Sequence, residues 1–436
     1  VASDQRTFQY ADGTPFLWLA DTWWLGMSSR ISDEEFANLA RFRADQGFSM
    51  VKTVAGFCPD MAPFDARGAN EGGQPWEANY ERIRPDYFQV VDRRVETLVE
   101  AGLVPALVGM WGYHLPFMGE EKATRHWRYL IARYGAYPVV WILAGEVAMP
   151  WYLLPRGPDK DLASQAQAEA WSRVATSVKQ RDPFNRPLSA HPGGGEAGYA
   201  SLARIPAQDF LMIQPGHGDS ASVERGMDLL QRGLREYQGR PFMIGEACYE
   251  GIFGENREKI QRQLFWCGLL AGGAGHCYGA NGVWQFNRPK DIFGASPSGH
   301  TWGDTSWLEA SRYPGASQIA WGARWLRQQP WQEFRPHPEW IEPSAPNDGF
   351  NAPYAAGIPG RYRLIYFPHA LVSWRDWKVL QLEPDVRYQA SFIDPSNGKI
   401  HPLGYASGDE NGTWLIPNPP VLRDFLLILE VDKTGT

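Results

Sequence analysis

Between residue 16 and about residue 280, eight short and almost uniformly apolar runs alternate with stretches whose apolar residues recur at helical spacing. A strand that is apolar at every position must be covered on both faces, and strands separated by helices must run parallel. Eight such units in one chain predict a closed (β/α)₈ barrel, an α/β fold. The runs begin at Phe16 (FLWLAD), Phe48 (FSMVKTV), Leu103 (LVPALVG), Val139 (VVWIL), Leu188 (LSAH), Phe210 (FLMIQ), Phe242 (FMIGE) and His276 (HCYGAN).

The helices between them carry their own signals. Phe88, Val91, Val95, Leu98 and Val99 share one helical face, as do Trp127, Leu130, Ile131 and Tyr134. Val223, Met227, Leu230 and Leu234 mark a later helix, and Ile260, Leu264, Cys267 and Ala271 another. Ser32 followed by Glu35 reads as a capping box opening the first helix. A last helix near 311–328 closes the ring. After Pro330 the texture changes to Pro- and Gly-punctuated segments such as RYRLIYFP, VRYQASFID and DFLLILEV, with a turn at 395–398. This predicts a barrel over 1–332 and an all-β sandwich of seven or eight strands over 333–436, expected to buttress the barrel.

Composition narrows the function. A net charge of −7 and no cluster of Lys and Arg give no footprint for a phosphate backbone, so nucleic acid is not an expected partner. No apolar run reaches membrane-spanning length, so no membrane partner is expected either. The opening Val-Ala-Ser-Asp lacks a signal pattern; a chain trimmed of its signal would begin the same way, leaving secreted, periplasmic and cytoplasmic locations open. Cys58, Cys248, Cys267 and Cys277 show neither metal nor disulfide spacing and read as buried free thiols. No metal or cofactor is expected, and oligomeric state is not legible. Aromatic residues make up 14%, with 20 Trp, many beside Gly, Asp, His or Asn. Flat rings with a polar edge suit sugars, whose apolar C–H faces lie between hydroxyls.

Barrel chemistry gathers where strands end. Those ends supply Asp21, Trp23 and Trp24 after the first strand, Trp111 and His114 after the third, and Glu146 after the fourth. The later strands supply His191, Gln214, His217, Glu246, Tyr278, Asn281 and Trp284. Glu146 and Glu246 each close an apolar strand after a glycine, on strands four and seven, which face each other across the mouth. Cleaving a glycosidic bond takes one protonated carboxyl and one carboxylate, so this pair is the predicted catalytic pair. The bland alternative is that either Glu is a solvated or ion-paired residue. Trp111, Trp141 or Trp151 is expected to supply the apolar surface that keeps Glu146 protonated. Asp21 is expected to bind substrate hydroxyls, and His114, His191 and His217 to hold hydroxyls or orient a carboxylate. Loops bearing Trp151, Trp284 and Trp302 are expected to close the pocket. Glu250 either binds substrate or caps the seventh helix, the second reading being preferred. Gly193, Gly194 and Gly195 read as a flexible loop with no helix opening after it. No nucleophile elbow, zinc motif or nucleotide loop is present.

The segments ADGTPFLWLADTWW, DQGFSMVKT, VVWILAGE and FMIGEACYE resemble the apiosidase-like glycoside hydrolases over nearly the whole chain. FIDPSNGK and DFLLILE resemble the β-sandwich of collagen-binding type that follows the barrel in that family. The resemblance implies a retaining exo-hydrolase acting on a plant or microbial glycan, with Glu246 as nucleophile and Glu146 as acid/base. The sugar implied is a furanoside such as apiose or arabinofuranose, or a pyranoside. An inverting hydrolase or a non-catalytic glycan-binding barrel are the competing readings. One departure stands out: the fourth-strand acid is Glu146 in Ala-Gly-Glu where the family pattern has Asp in Gly-Gly-Asp, and Gly145 replaces the Asn common in the wider clan.

Overall fold

The computed structural model describes residues 1–345, 347–368, 377–419 and 423–432. Eight parallel strands make the barrel: β1 (Trp18–Thr22), β2 (Met50–Val54), β3 (Val104–Val108), β4 (Val140–Ile142), β5 (Leu188–Ser189), β6 (Leu211–Ile213), β7 (Phe242–Ile244) and β8 (Gly275–Tyr278). They pair in sequence order, with β8 returning to β1 through Gly275 opposite Trp18. β5 and β6 join through single bonds, Asp209 N–H to the Leu188 carbonyl and Gly195 N–H to the Gln214 carbonyl, each 2.8 Å. Around the strands stand α1 (Asp33–Gln46), α2 (Pro85–Glu100), α3 (Glu120–Tyr134), α4 (Pro158–Arg181), α5 (Gly195–Ser201), α6 (Ser220–Glu236), α7 (Glu258–Leu270) and α8 (Pro314–Leu326).

All eight predicted strands and the Ser32–Glu35 capping box are present. α1 ends where Gly47 turns left-handed at φ 113°; a Cβ there would lie 2.6 Å from Arg324 Cγ, so only glycine fits. Three local expectations need correction. Phe16 is not barrel strand: with Pro15 it pairs antiparallel to Phe8–Gln9, a hairpin whose Phe8 ring packs on Trp18 and Phe210. β5 is only two residues long, because the Ala190 N–H turns from the sheet to the Gln208 side chain at 2.9 Å. A helix, α5, does open at the glycine run: Gly198 sits so close to Gly193 that a Cβ would lie 1.7 Å from its carbonyl oxygen, and this contact folds the loop onto the helix.

Beyond Pro330 the described strands form a six-stranded antiparallel sheet and a three-stranded one, nine strands instead of the seven or eight expected. The two-residue strands Lys378–Val379 and Trp414–Leu415 have no sequence signature long enough to read. In the central strands Tyr362–Phe367 and Phe425–Val431, alternate residues serve two cores. Leu364, Tyr366 and Leu426 merge with the barrel helices, while Ile365, Phe367 and Leu427 close against the small sheet. That double burial explains why DFLLILEV reads as one continuous apolar run. The junction is also polar: Arg262 of α7 grips Asp424 with two 2.7 Å bonds, and Tyr366 donates to the same carboxylate. The predicted turn at 395–398 lands on the barrel too, with Gly398 against the Trp321 indole. The last residues of the predicted C-terminal unit, 433–436, lie outside the described residues. Among the described residues no helix is long and apolar enough to cross a membrane.

Candidate active site

A cavity of about 230 Å³ opens at the C-terminal ends of the strands, lined by Trp24, Asp60, Trp111, Glu146, Gln214, His217, Glu246, Tyr249, Trp284 and Trp302 among others. An apolar cavity of roughly 150 Å³ takes benzene, so this one accepts a single sugar ring.

Glu146 follows β4 in a backbone conformation that L-residues avoid, φ 41°. Its neighbours hold it there. Gly112 N–H donates to the Gly145 carbonyl at 2.6 Å and Val147 N–H to the His191 carbonyl at 2.9 Å, tying the segment to both adjacent βα loops. Gly145 cannot be another residue, since a Cβ would lie 2.1 Å from the Trp111 ring. Glu246 follows β7, 4% exposed, with Ala247 N–H bonded to the Cys277 carbonyl.

One side chain spans the two acids. Gln214 Nε2 lies 2.9 Å from Glu246 Oε1 and 3.4 Å from Glu146 Oε1, so those oxygens are separated by no more than the two distances together, about 6.3 Å. The surroundings of the pair differ sharply. Glu246 accepts the Tyr249 hydroxyl at 2.6 Å, and His191 Nε2 and His217 Nε2 each approach one of its oxygens to 3.3 Å. His217 is oriented by the Tyr249 backbone N–H donating to its Nδ1, which leaves Nε2 to carry the proton in neutral imidazole. Behind Tyr249, Trp24 Nε1–H donates to its hydroxyl at 2.6 Å, completing a relay of donors aimed at Glu246. Buried Lys52 donates to the Gly245 carbonyl and stands 4.6 Å from the Trp24 ring centroid. Burial would raise the Glu246 carboxyl, but His191 and His217 outweigh it and hold it well below the usual carboxylate range.

Among the described residues Glu146 has two long hydrogen-bond contacts, Trp111 Nε1–H at 3.3 Å and Gln214 at 3.4 Å. Burial, then the charge of Glu246, then that of Asp60 push its carboxyl up to about 8. At neutral pH the pair therefore presents a proton donor beside an anion, the combination that acetal cleavage demands.

The structure brings Trp24, Trp111, Gln214, His217 and Trp284 to the cavity and sets His191 directly behind Glu246. Other expected residues do not reach it. Asp21 is fully buried, taken by Arg43 Nε at 2.6 Å and Trp23 Nε1 at 2.8 Å, so both Asp21 and Trp23 serve the barrel–helix junction. His114 bonds the Cys58 carbonyl, and burial pushes it down to about 3. Trp151 packs on Tyr113 and Phe117, leaving the wall to its neighbour Tyr152. Trp141 bonds Asp182, so of the three candidate indoles only Trp111 touches Glu146. Tyr278 donates to Glu250, and Glu250 accepts Gly315 N–H at 3.0 Å; it caps α8, not the seventh helix. Asn281 works one layer back, donating to the Trp302 carbonyl and accepting from Trp284.

Tyr249 and Asp60 are among the wall residues that were not foreseen. Tyr249 lies three residues past Glu246, within the quoted FMIGEACYE, where its spacing was the available signal. Asp60 lies in the long loop after β2 and joins three loops, accepting Tyr152 O–H at 2.9 Å and Trp302 Nε1–H at 3.1 Å. No periodic or terminal signal marks it. All four cysteines are buried and free. Among the described residues no group of three or more His, Cys, Asp or Glu is arranged to hold a metal ion.

A sequence model of the apiosidase-like catalytic domain matches residues 2–333. Among solved structures, a glycoside hydrolase aligns over 100% of this chain and 97% of its own, at 22% identity and TM-score 0.79. A family 5 glycoside hydrolase from Bacteroides vulgatus aligns over 100% and 95%, at 21% identity and TM-score 0.78. A family 5 mannosidase from Rhizomucor miehei aligns over 76% and 98%, at 13% identity and TM-score 0.52. At such identities the likeness is one of fold. No curated protein sequence matches this chain. The matched catalytic domain, spanning the barrel whose mouth holds the two acids, makes the chain a member of the apiosidase-like glycoside hydrolases.

Proposed function

We propose that the chain is a retaining, exo-acting glycosidase that releases one terminal sugar, a furanoside such as apiose or arabinofuranose or a pyranoside, from a plant or microbial glycan. The observation that carries the reading is the Gln214 amide spanning both acids. Oxygens no more than about 6.3 Å apart favour direct attack over the wider gap of about 6.5 to 9.5 Å that an inverting enzyme keeps for water. In the first step protonated Glu146 gives its proton to the glycosidic oxygen while a Glu246 oxygen bonds the anomeric carbon and the C–O bond to the leaving group breaks. In the second, Glu146, now a carboxylate, takes a proton from water, whose oxygen displaces Glu246. Burial still raises Glu146 in the intermediate, but neutralising Glu246 removes the next largest cause, so Glu146 gives up its proton more readily and can turn from acid to base.

His217, Tyr249 and His191 keep Glu246 ionised and aimed; Trp24, Trp111, Trp284 and Trp302 supply apolar faces for the ring, and Asp60 an acceptor for its hydroxyls. The small cavity supports exo action. We take the catalytic unit as 1–332 and the sandwich over 333–436 as a buttress fastened through Asp424. Proton NMR of the first-formed product tests the mechanism: net retention is expected, and an inverted anomer would overturn it. Glu146→Ala and Glu246→Ala variants, assayed on aryl furanosides and pyranosides, should each lose the activity of the wild type.

A further inference from the structure

The loop after Glu250 turns left-handed four times within six residues, at Gly251, Phe253, Gly254 and Asn256. Glycine does this without steric penalty and asparagine at little; phenylalanine does not. Phe253 nevertheless stands at φ 54°, and its ring is 57% exposed, so no burial offsets the strained backbone. Its chain neighbour Ile252 is buried and lines the cavity. The Phe253 ring lies 5.8 Å from Trp302, tilted 36°, and 6.0 Å from His300, and Trp302 is itself cavity wall. The loop is held independently of the ring. Gly251 N–H bonds the Glu255 carbonyl, Glu255 N–H the Ile252 carbonyl, and Asn256 accepts the Asp219 N–H. Phe253 thus extends the aromatic wall one ring outward from Trp302, at the open edge of the cavity. Strain kept with no gain in burial is the pattern of a side chain retained for contact with something outside the fold.

We propose that Phe253 is the outer platform of the site, on which a flat apolar face of the leaving group stacks, either an aromatic ring or the C–H face of a second sugar. The proposal rests on cleavage occurring between Glu146 and Glu246. It names the acceptor-side chemistry the enzyme selects: leaving groups with a planar apolar face, favoured over small or flexible ones.

Phe253→Gly removes the ring and the backbone strain together. Its Tm should equal or exceed that of the wild type. For glycosides of the sugar that the wild type hydrolyses, KM should rise about threefold to tenfold with a 2-naphthyl or a second-sugar leaving group. KM with a trifluoroethyl leaving group should not change, and Phe253→Trp should restore the wild-type preference. A loss in the naphthyl arm alone identifies an aromatic leaving group; a loss in the second-sugar arm alone identifies a glycan. Saturation-transfer NMR with 2-naphthol, which needs no turnover, should give contact signals with the wild type that weaken in Phe253→Gly. Unchanged naphthol contacts, equal losses for all three leaving groups, or a Tm several degrees lower would overturn the platform. Activity abolished in the Glu146 and Glu246 variants but insensitive to Phe253 would leave the cleavage site standing and remove the platform alone.

Discussion

Glu246→Gln removes one charge beside Glu146 while nearly preserving shape, and the structure sets the size of the response. With the two Oε1 atoms at most about 6.3 Å apart, Coulomb's law at an effective dielectric constant near 20 gives roughly 2.6 kcal/mol, worth about two pH units of titration. Glu146 is raised to about 8 by burial, by Glu246 and by Asp60, and the substitution removes only the second of these. Its titration should therefore move from about 8 to about 6 in the variant, still above an ordinary glutamic acid because burial and Asp60 remain. The assay is carbon-13 NMR of side-chain-labelled glutamate between pH 4 and 10, with Glu146→Gln identifying the resonance. The same fall is required on forming the covalent intermediate, where Glu146 must become a base near neutral pH. A midpoint that stays near 8 in Glu246→Gln would refute both the electrostatic origin of the raised value and the acid-to-base change built on it.

Tyr249→Phe removes a 2.6 Å donor to Glu246, and a hydrogen bond to a charged group is worth about 1.5–3 kcal/mol, so kcat/KM should drop about tenfold to 150-fold. The acidic limb of the pH profile should move upward, since Glu246 becomes harder to ionise; an unmoved limb would show that the hydroxyl does not act on its charge. Glu146 binds its proton more tightly folded than unfolded, so its contribution to stability is full below about pH 4.5 and lost as pH rises through 8. Denaturant melts should then show Glu146→Gln gaining on the wild type by on the order of 4 kcal/mol at pH 9 relative to pH 4. Asp424→Ala strands the buried Arg262 guanidinium at the sandwich junction and should cost about 3–5 kcal/mol by the same melts. Gly398→Ala sets a Cβ 2.4 Å from Trp321 Nε1 at φ 78° and should lower Tm through both clash and strain, whereas Gly404→Ala, at a similar φ of 87° with open space, isolates the strain alone.

The barrel was legible because each strand is covered on both faces, and that demand writes itself into the chain as an apolar run between amphipathic ones. The glutamates were legible for a related reason: a carboxylate ending such a run after a glycine has no place in a core and must face the mouth. Residues one or two positions away were harder to assign, since neighbouring side chains in a strand point to opposite faces. Asp21 belongs to β1 itself, where its face meets α1 and Arg43, while Trp24, three residues later, turns into the cavity. A sequence reading that locates a strand end to within two residues cannot tell these directions apart. The same limit misassigned Tyr278, which ends β8 facing Glu250 and α8.

What stayed hidden was held by backbone geometry and by long-range hydrogen bonds. Asp60 at φ 54°, Glu146 at φ 41° and Phe253 at φ 54° all occupy the left-handed region, and residue type carries no trace of that choice outside glycine and asparagine. Asp60 is drawn into the wall by Tyr152 and Trp302, 92 and 242 residues away in the chain. Such contacts form only after the barrel has brought its loops together, so they cannot precede the fold they decorate. Asp60 and Glu146 line one cavity, and each is held by bonds from other loops instead of by its own preference. The regular frame thus supplies the rigidity that lets such residues keep a backbone their own type disfavours.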